Sequence, residues 1–246
     1  MKINYLVVFS LSILIACTPR TEAEKIVDEA IEAHGGKRYE SARVDFDFRD
    51  YRYQIFKSPS RFEYSREFAD STGQVRDLLN NDGFKRTVNG VVIDTLTEER
   101  IGSFSRSVNS VAYFALLPYG LNDAAVIKDL LGETTLKGEP YDLIKVTFQQ
   151  EGGGDDFDDE FLYWIHKETH FVDYMAYSYH TDGGGVRFRE VSSAQTVEGI
   201  RFQNYLNYKP ENKDTPVEKL KSLYEQGKLE LLSEINLENI QVEMVK

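Results

Sequence analysis

Apolar and polar positions along this chain follow two periods, and the switches between them mark out its elements. Ala23, Ile26, Val27, Ala30 and Ile31 recur every three or four residues, forming one stripe of an amphipathic helix. Thr21, with Glu24 three residues on, makes a capping box at its start. Gly35-Gly36 ends it, because glycine accepts the left-handed cap conformation. His34 stands in the last turn, where an imidazolium would meet the helix dipole favourably. The period then falls to two. Val44, Phe46 and Phe48 alternate with Asp45, Asp47 and Arg49, which predicts a half-buried strand. Further strands are expected over 51–56, 61–68, 75–79, 84–88 and 91–94, the last two joined by Asn89-Gly90, a strong hairpin signal.

The helical period returns over 97–117. Ile101, Phe104, Val108, Val111, Ala112 and Ala115 share one stripe, and Pro118-Tyr119-Gly120 stops it. Residues 122–131 suit either a short helix or irregular structure. Strands resume over 134–136, 141–148, 161–165, 171–179, 186–192 and 200–208, a surface helix is expected over 216–226, and 235–245 reads as a last strand. Short strands separated by turn residues predict an antiparallel sheet rather than βαβ units. Composition agrees: fifteen Tyr and fifteen Phe favour pleated, half-buried surfaces. The formal net charge of −12 argues against a nucleic-acid partner, which needs a basic patch. It also disfavours polybasic attachment to anionic lipid.

The amino terminus sets the location. Met1-Lys2 supplies positive charge and 5–16 is almost wholly apolar, the order of a secretory signal peptide. The run is shorter than the roughly 20 residues that span a bilayer. Leu14-Ile15-Ala16-Cys17 resembles the bacterial lipobox. That resemblance implies cleavage before Cys17 and acyl chains of the palmitate kind on its sulfur and new amino group. Two or three such chains make a stable anchor. The expected organisation is a signal peptide over 1–16, a lipidated tether over 17–22 and a single domain over 23–246. Thr18 after the cysteine, rather than Asp, resembles an outer-membrane sorting signal. Cys17 is the only cysteine, so the domain has neither a disulfide nor a thiol nucleophile.

The order of signal, helix ending in Gly-Gly, antiparallel strands, inserted helix and more strands resembles the LolA/LolB-like lipoprotein-carrier superfamily. More narrowly, 29–36 (Glu-Ala-Ile-Glu-Ala-His-Gly-Gly), Tyr163-Trp164-Ile165 and 184–190 (Gly-Gly-Val-Arg-Phe-Arg-Glu) are similar to an uncharacterised family of bacterial lipoproteins. The resemblance implies a mainly β fold with α (α+β): an antiparallel half-open β-barrel with helices packed on its concave face. It also implies a cavity for acyl chains or another apolar ligand. Strand alternation nominates Met175, Tyr177, Phe188, Phe202 and Leu206 as its lining, with Phe104 and Val108 from the 97–117 helix, which would serve as a mobile lid. A sealed core beneath the helices is the other reading of the same residues.

Few residues suggest chemistry. The acidic, glycine-rich stretch 151–160 offers Asp155, Asp156, Asp158 and Asp159 as hard oxygen ligands for calcium, although its spacing is not that of an EF-hand. His166, Glu168 and His170 span a turn and are not in His-Glu-x-x-His order, so they read as polar surface, and His180 is expected one strand away. No Gly-x-Ser-x-Gly motif occurs, and Ser103, Ser105 and Ser107 have no assignable base. Gly183-Gly184-Gly185 reads as a hairpin turn. Arg187 and Arg189 share one strand face, fit either to bind a carboxylate or phosphate or to pair with acidic neighbours across the sheet. The expected function is therefore non-enzymatic and cofactor-free: a lipid-anchored envelope protein, at the outer membrane, binding a lipid, acyl chain or lipoprotein. The alternatives are a scaffolding lipoprotein with a filled core, binding a protein or glycan on its surface, and a metal-assisted envelope hydrolase using the acidic loop.

Overall fold

The computed structural model describes residues 19–151 and 157–245. Cys17 and Thr18, and Asp155 and Asp156 of the acidic stretch, lie outside the described residues. Helix α1, Glu22–His34, opens with the expected capping box: Thr21 Oγ1 accepts from the Glu24 amide and Glu24 Oε2 accepts from the Thr21 amide at 2.7 Å. At its end Gly35 packs against the backbone of Gly199 and Ile200; a Cβ there would sit 3.1 Å from both Gly199 O and Ile200 Cα. Glycine is required by close approach as well as by its φ of +143°.

Six strands follow: β1 Ala42–Phe48, β2 Tyr51–Lys57, β3 Phe62–Asp70, β4 Gly73–Asn80, β5 Gly83–Val88 and β6 Val91–Val92. Asn89 and Gly90 both have positive φ, the geometry of a tight hairpin turn between β5 and β6. Helix α2, Glu98–Ala115, comes next, capped by Thr97, whose hydroxyl accepts from the Arg100 amide. The second half contributes β7 Val126–Leu136, β8 Glu139–Phe148, β9 Glu160–His166, β10 Val172–Tyr179, β11 Gly185–Val197, β12 Ile200–Lys209, helix α3 Leu220–Glu225, β13 Glu230–Ile235 and β14 Glu238–Met244.

The strands form two seven-stranded antiparallel sheets, ordered β14-β1-β2-β3-β4-β5-β6 and β13-β12-β11-β10-β9-β8-β7. Asn236 and Leu237 carry the chain from β13, the edge of one sheet, to β14, the edge of the other. The Leu237 amide donates to Asn204 Oδ1 at 2.9 Å at this seam. At the far edges β6 and β7 do not pair among the described residues, so the curve stays open. This is the α+β, half-open antiparallel architecture that the sequence suggests.

Two cores line the concave side. Ala23, Val27 and Ala30 of α1 pack on Ile144, Tyr163, Val172 and Met175, while Val108, Ala112 and Ala115 of α2 pack on Val44, Phe46, Tyr53 and Ile55. A third core lies on the outer face of the second sheet, where Leu162, Trp164, Ala176 and Phe188 are covered by Val217 and Leu220. Strand β9 is thus buried on both faces, which explains its unbroken apolar run.

Several boundaries differ from expectation. Residues 122–131 belong mostly to β7, an edge strand whose exposed positions hide its alternation. Residues 235–245 are the end of β13 plus β14, and β13 itself, with Leu231 and Leu232 exposed, was not foreseen. The 216–226 helix shrinks to a single turn followed by the six residues of α3. His34 is buried rather than poised at a dipole. Burial pushes its pKa down to about 4, and its Nδ1–H donates to the Ala30 carbonyl at 2.8 Å, so the ring is neutral at pH 7.

Candidate functional site

Helix α2 enters the concave space and divides it. On one flank a cavity of about 370 Å³ lies between α2 and residues of β2, β3, β12 and β13, among them Tyr53, Arg66, Tyr205 and Ile235. On the other, a cavity of about 720 Å³ lies between α2 and β8–β11, walled by Phe148, Phe161, Tyr177 and Tyr179. Ser110 and Phe114 of α2, with Arg189 of β11, line both.

Three polar contacts hold the helix there. Arg66 Nη1 donates to Ser107 Oγ at 2.7 Å on the first-sheet side. The Tyr113 and Tyr163 hydroxyls meet at 2.7 Å on the second-sheet side. The Arg189 guanidinium lies 3.8 Å over the Phe114 ring and donates to the Tyr177 hydroxyl at 2.8 Å. Desolvation raises the pKa of both hydroxyls in the tyrosine pair, so both stay protonated and one donates to the other. Arg66 is itself fixed from behind: Asp77, fully buried, accepts from Arg66 Nε at 2.8 Å and from Arg86 Nε at 2.6 Å.

The nominated lining residues part company. Tyr177 walls the larger cavity, and Met175 is buried on the same face of β10 beneath α1. Phe188 points the other way. It is packed in the outer core, with the Tyr224 ring stacked on it at 4.5 Å. The register explains this: Tyr177 and Met175 stand opposite Arg187 and Arg189, so on β11 the arginines face the interior and Val186 and Phe188 face out. Phe202 is buried with Ile200 in the core that β1, β2 and α2 share, and Leu206 is half-buried on β12, where Gln203, Tyr205 and Asn207 face the smaller cavity. Val108 is fully buried in that same core, and Phe104 rests on Phe84 and beneath the Arg86 guanidinium. Arg189 is one of the two arginines that the sequence offers for a carboxylate or phosphate, whereas Phe114 and Arg66 are not among the residues it singles out. The Arg187–Arg189 alternation was visible, but nothing local says which side of β11 is interior.

The acidic and histidine residues sort differently from the spacing. Asp158, Asp159 and His180 bring ligand atoms within 4.8 Å of one another, and Asp159 also lines the larger cavity. His180 Nδ1 is 3.5 Å from Asp158 Oδ2 and 3.6 Å from Asp159 Oδ1. His166 and His170 stand elsewhere, 3.5 Å from Glu139 and Glu29 respectively. Of the helical serines, Ser103 is exposed, Ser105 donates to the carbonyl of Ile101, and Ser107 accepts from Arg66.

No helix among the described residues is long and apolar enough to cross a membrane. Solved structures of similar fold include a LolA superfamily protein from Nitrosomonas europaea, 12% identical over 92% of this chain and 94% of that one, with a TM-score of 0.48. A DUF1329 family protein from Desulfovibrio piger is 11% identical over 89% and 92%, TM-score 0.46. A Vibrio parahaemolyticus domain assigned to outer membrane lipoprotein sorting is 9% identical over 90% and 94%, TM-score 0.44. At such scores these are likenesses of shape, and the fold stands on the strand order given above. No curated protein matches the sequence. Residues 3–237 match the model of DUF6503, a family of unknown function, and the chain belongs to that family.

Proposed function

We propose that this chain is a lipid-anchored, non-catalytic protein of the cell envelope that holds a lipid, an acyl chain or a lipoprotein segment inside its open β-curve. The observation that carries this is the pair of clefts flanking α2. Between α2 and the two sheets the fold leaves clefts of about 720 and 370 Å³ that open to solvent. Both volumes lie in the range of small-molecule sites, and their walls mix aromatic side chains with polar and charged ones. Burial of an apolar guest supplies about 0.8 kcal/mol per methylene. The anchor rests on the sequence at Cys17. Because α1 starts at Glu22, four residues would separate it from the lipid, a reach of roughly 15 Å.

Native mass spectrometry of the full chain, purified in nonionic detergent and followed by denaturing lipid extraction, tests this reading. A retained lipid or fatty acid, in excess of covalent acyl mass, is the expected result. A bare mass with no uptake of offered palmitate or lipopeptide would sink it and favour the filled scaffold. Loss of labelled palmitate in Cys17→Ser checks the anchor.

One observation favours a second reading. Asp158, Asp159 and His180 converge beside the larger cavity, a donor set suited to metal-assisted hydrolysis. It requires that calcium or zinc raise the Tm and that Asp159→Asn remove the effect; an unchanged Tm with either ion eliminates it.

A further inference from the structure

The smaller cavity is more cationic than a chain of net charge −12 leads one to expect. Arg66 and Arg189, both buried, and Arg49, exposed at the turn between β1 and β2, line it, and no carboxylate lines it among the described residues. The larger cavity is mixed, with Asp123 and Asp159 beside Lys57, Arg106, Arg187 and Arg189. Arg66 and Arg86 share the one carboxylate of Asp77, which leaves that buried cluster with one net positive charge. Arg189 has no carboxylate partner among the described residues. It is 7% exposed, its Nε is buried without a hydrogen-bond partner, and its remaining contacts are the Phe114 face and the Tyr177 hydroxyl. A guanidinium removed from water without a counter-ion is costly. This one is nevertheless held in place by its strand, a ring and a hydroxyl, at the point where the two cavities meet. Its neighbour Arg187, on the same face, lines the larger cavity and donates to the Tyr179 hydroxyl at 2.7 Å.

We propose that Arg189 is the recognition site for the anionic head of an amphiphile, a carboxylate or phosphate carried on an acyl chain, whose apolar part lies along the aromatic flank of α2. This rests on the reading of the interior as a ligand cavity and names the ligand class. Three features favour an amphiphile over a free anion or a neutral lipid. The planar guanidinium fork matches a carboxylate or phosphate. The unpaired charge lacks the counter-ion that such a head would bring. Beside Arg189 the larger cavity presents Phe114, Phe161 and Tyr177, aromatic walls that suit an apolar chain.

The experiment compares palmitate, hexadecanol and acetate on the full chain in nonionic detergent by native mass spectrometry, with hexadecyl phosphate as a second head group. Palmitate or hexadecyl phosphate should be retained about tenfold more tightly than hexadecanol, the worth of one charge-assisted hydrogen bond, and acetate alone should not bind. Arg189→Met should bring the acids down to the level of the alcohol and leave hexadecanol unchanged. Arg189→Lys, which keeps the charge, should retain most of the preference and serves should the methionine variant not fold. Equal retention of acid and alcohol by the wild type, or an intact preference in Arg189→Met, overturns the inference while the cavity reading stands. Acetate binding that displaces palmitate overturns it in favour of a small-anion site. Retention of none of the probes removes the cavity reading, and the inference with it.

Discussion

The two faces of the sheet β7–β13 are built from the same strands and treated in opposite ways. On the outer face, Trp164, Phe188 and Leu162 are sealed by Val217, Leu220 and Tyr224. On the inner face, Tyr177, Arg187 and Arg189 stand beside α2 with open volume between them. The rest of the inner face, with Ile144, Tyr163, Val172 and Met175, is sealed by α1, so the open part is confined to the strip beside α2. An apolar surface exposed to an open cleft would itself collapse or be covered, so a sheet that keeps a cleft does so by placing polar-tipped aromatics and stacked guanidiniums there. Closed packing and open volume thereby share the strands of one sheet.

Four perturbations separate the two. The largest effect belongs to the sealed face: Trp164→Ala should cost about 3–5 kcal/mol in urea denaturation, with the ligand retention of the remaining folded protein unchanged. Next comes pH. His34, packed on the inner side with α1, has its pKa lowered from 6.5 to about 4 by burial. The unfolded chain therefore binds the extra proton first. The stabilisation is complete above pH 6.5 and falls by roughly 3 kcal/mol as pH drops to 4. His34→Leu should flatten that part of the stability–pH curve. Tyr113→Phe leaves the buried Tyr163 hydroxyl without its partner and should cost about 2 kcal/mol, while loosening α2 from the inner face. Ser107→Ala removes the contact to Arg66 and should cost about 1 kcal/mol. If both α2 lesions left ligand retention unaltered, the helix would be part of the core alone and the contrast between closed packing and open volume would fail.

Local chemistry made much of this fold legible. The capping box at Thr21, the Asn89-Gly90 hairpin and the α2 stripe each depend on residues within a few positions of one another. The misreadings share a different cause. Val186 and Phe188 alternate correctly as a strand, but their apolar face turns outward because residues 217–225 arrive to cover it. No pattern within β11 records that. Arg187 and Arg189 stand out in the sequence as a pair on one strand face, but only the register with Tyr177 and Met175 puts that face inside. β7 and β13 were obscured because edge strands leave positions exposed that central strands bury. The convergence of Asp158 and Asp159 with His180 joins segments about twenty residues apart, across a hairpin whose length alone did not fix which histidine would arrive.

The seam at Asn236-Leu237 has a mechanical consequence. Backbone pairing stops there, so the spacing between the two sheets is set by side chains, those of α2 and of Ile200, Phe202 and Leu237 among them, and not by a hydrogen-bond ladder. Substitutions on one helix can therefore resize the chamber while every strand keeps its register.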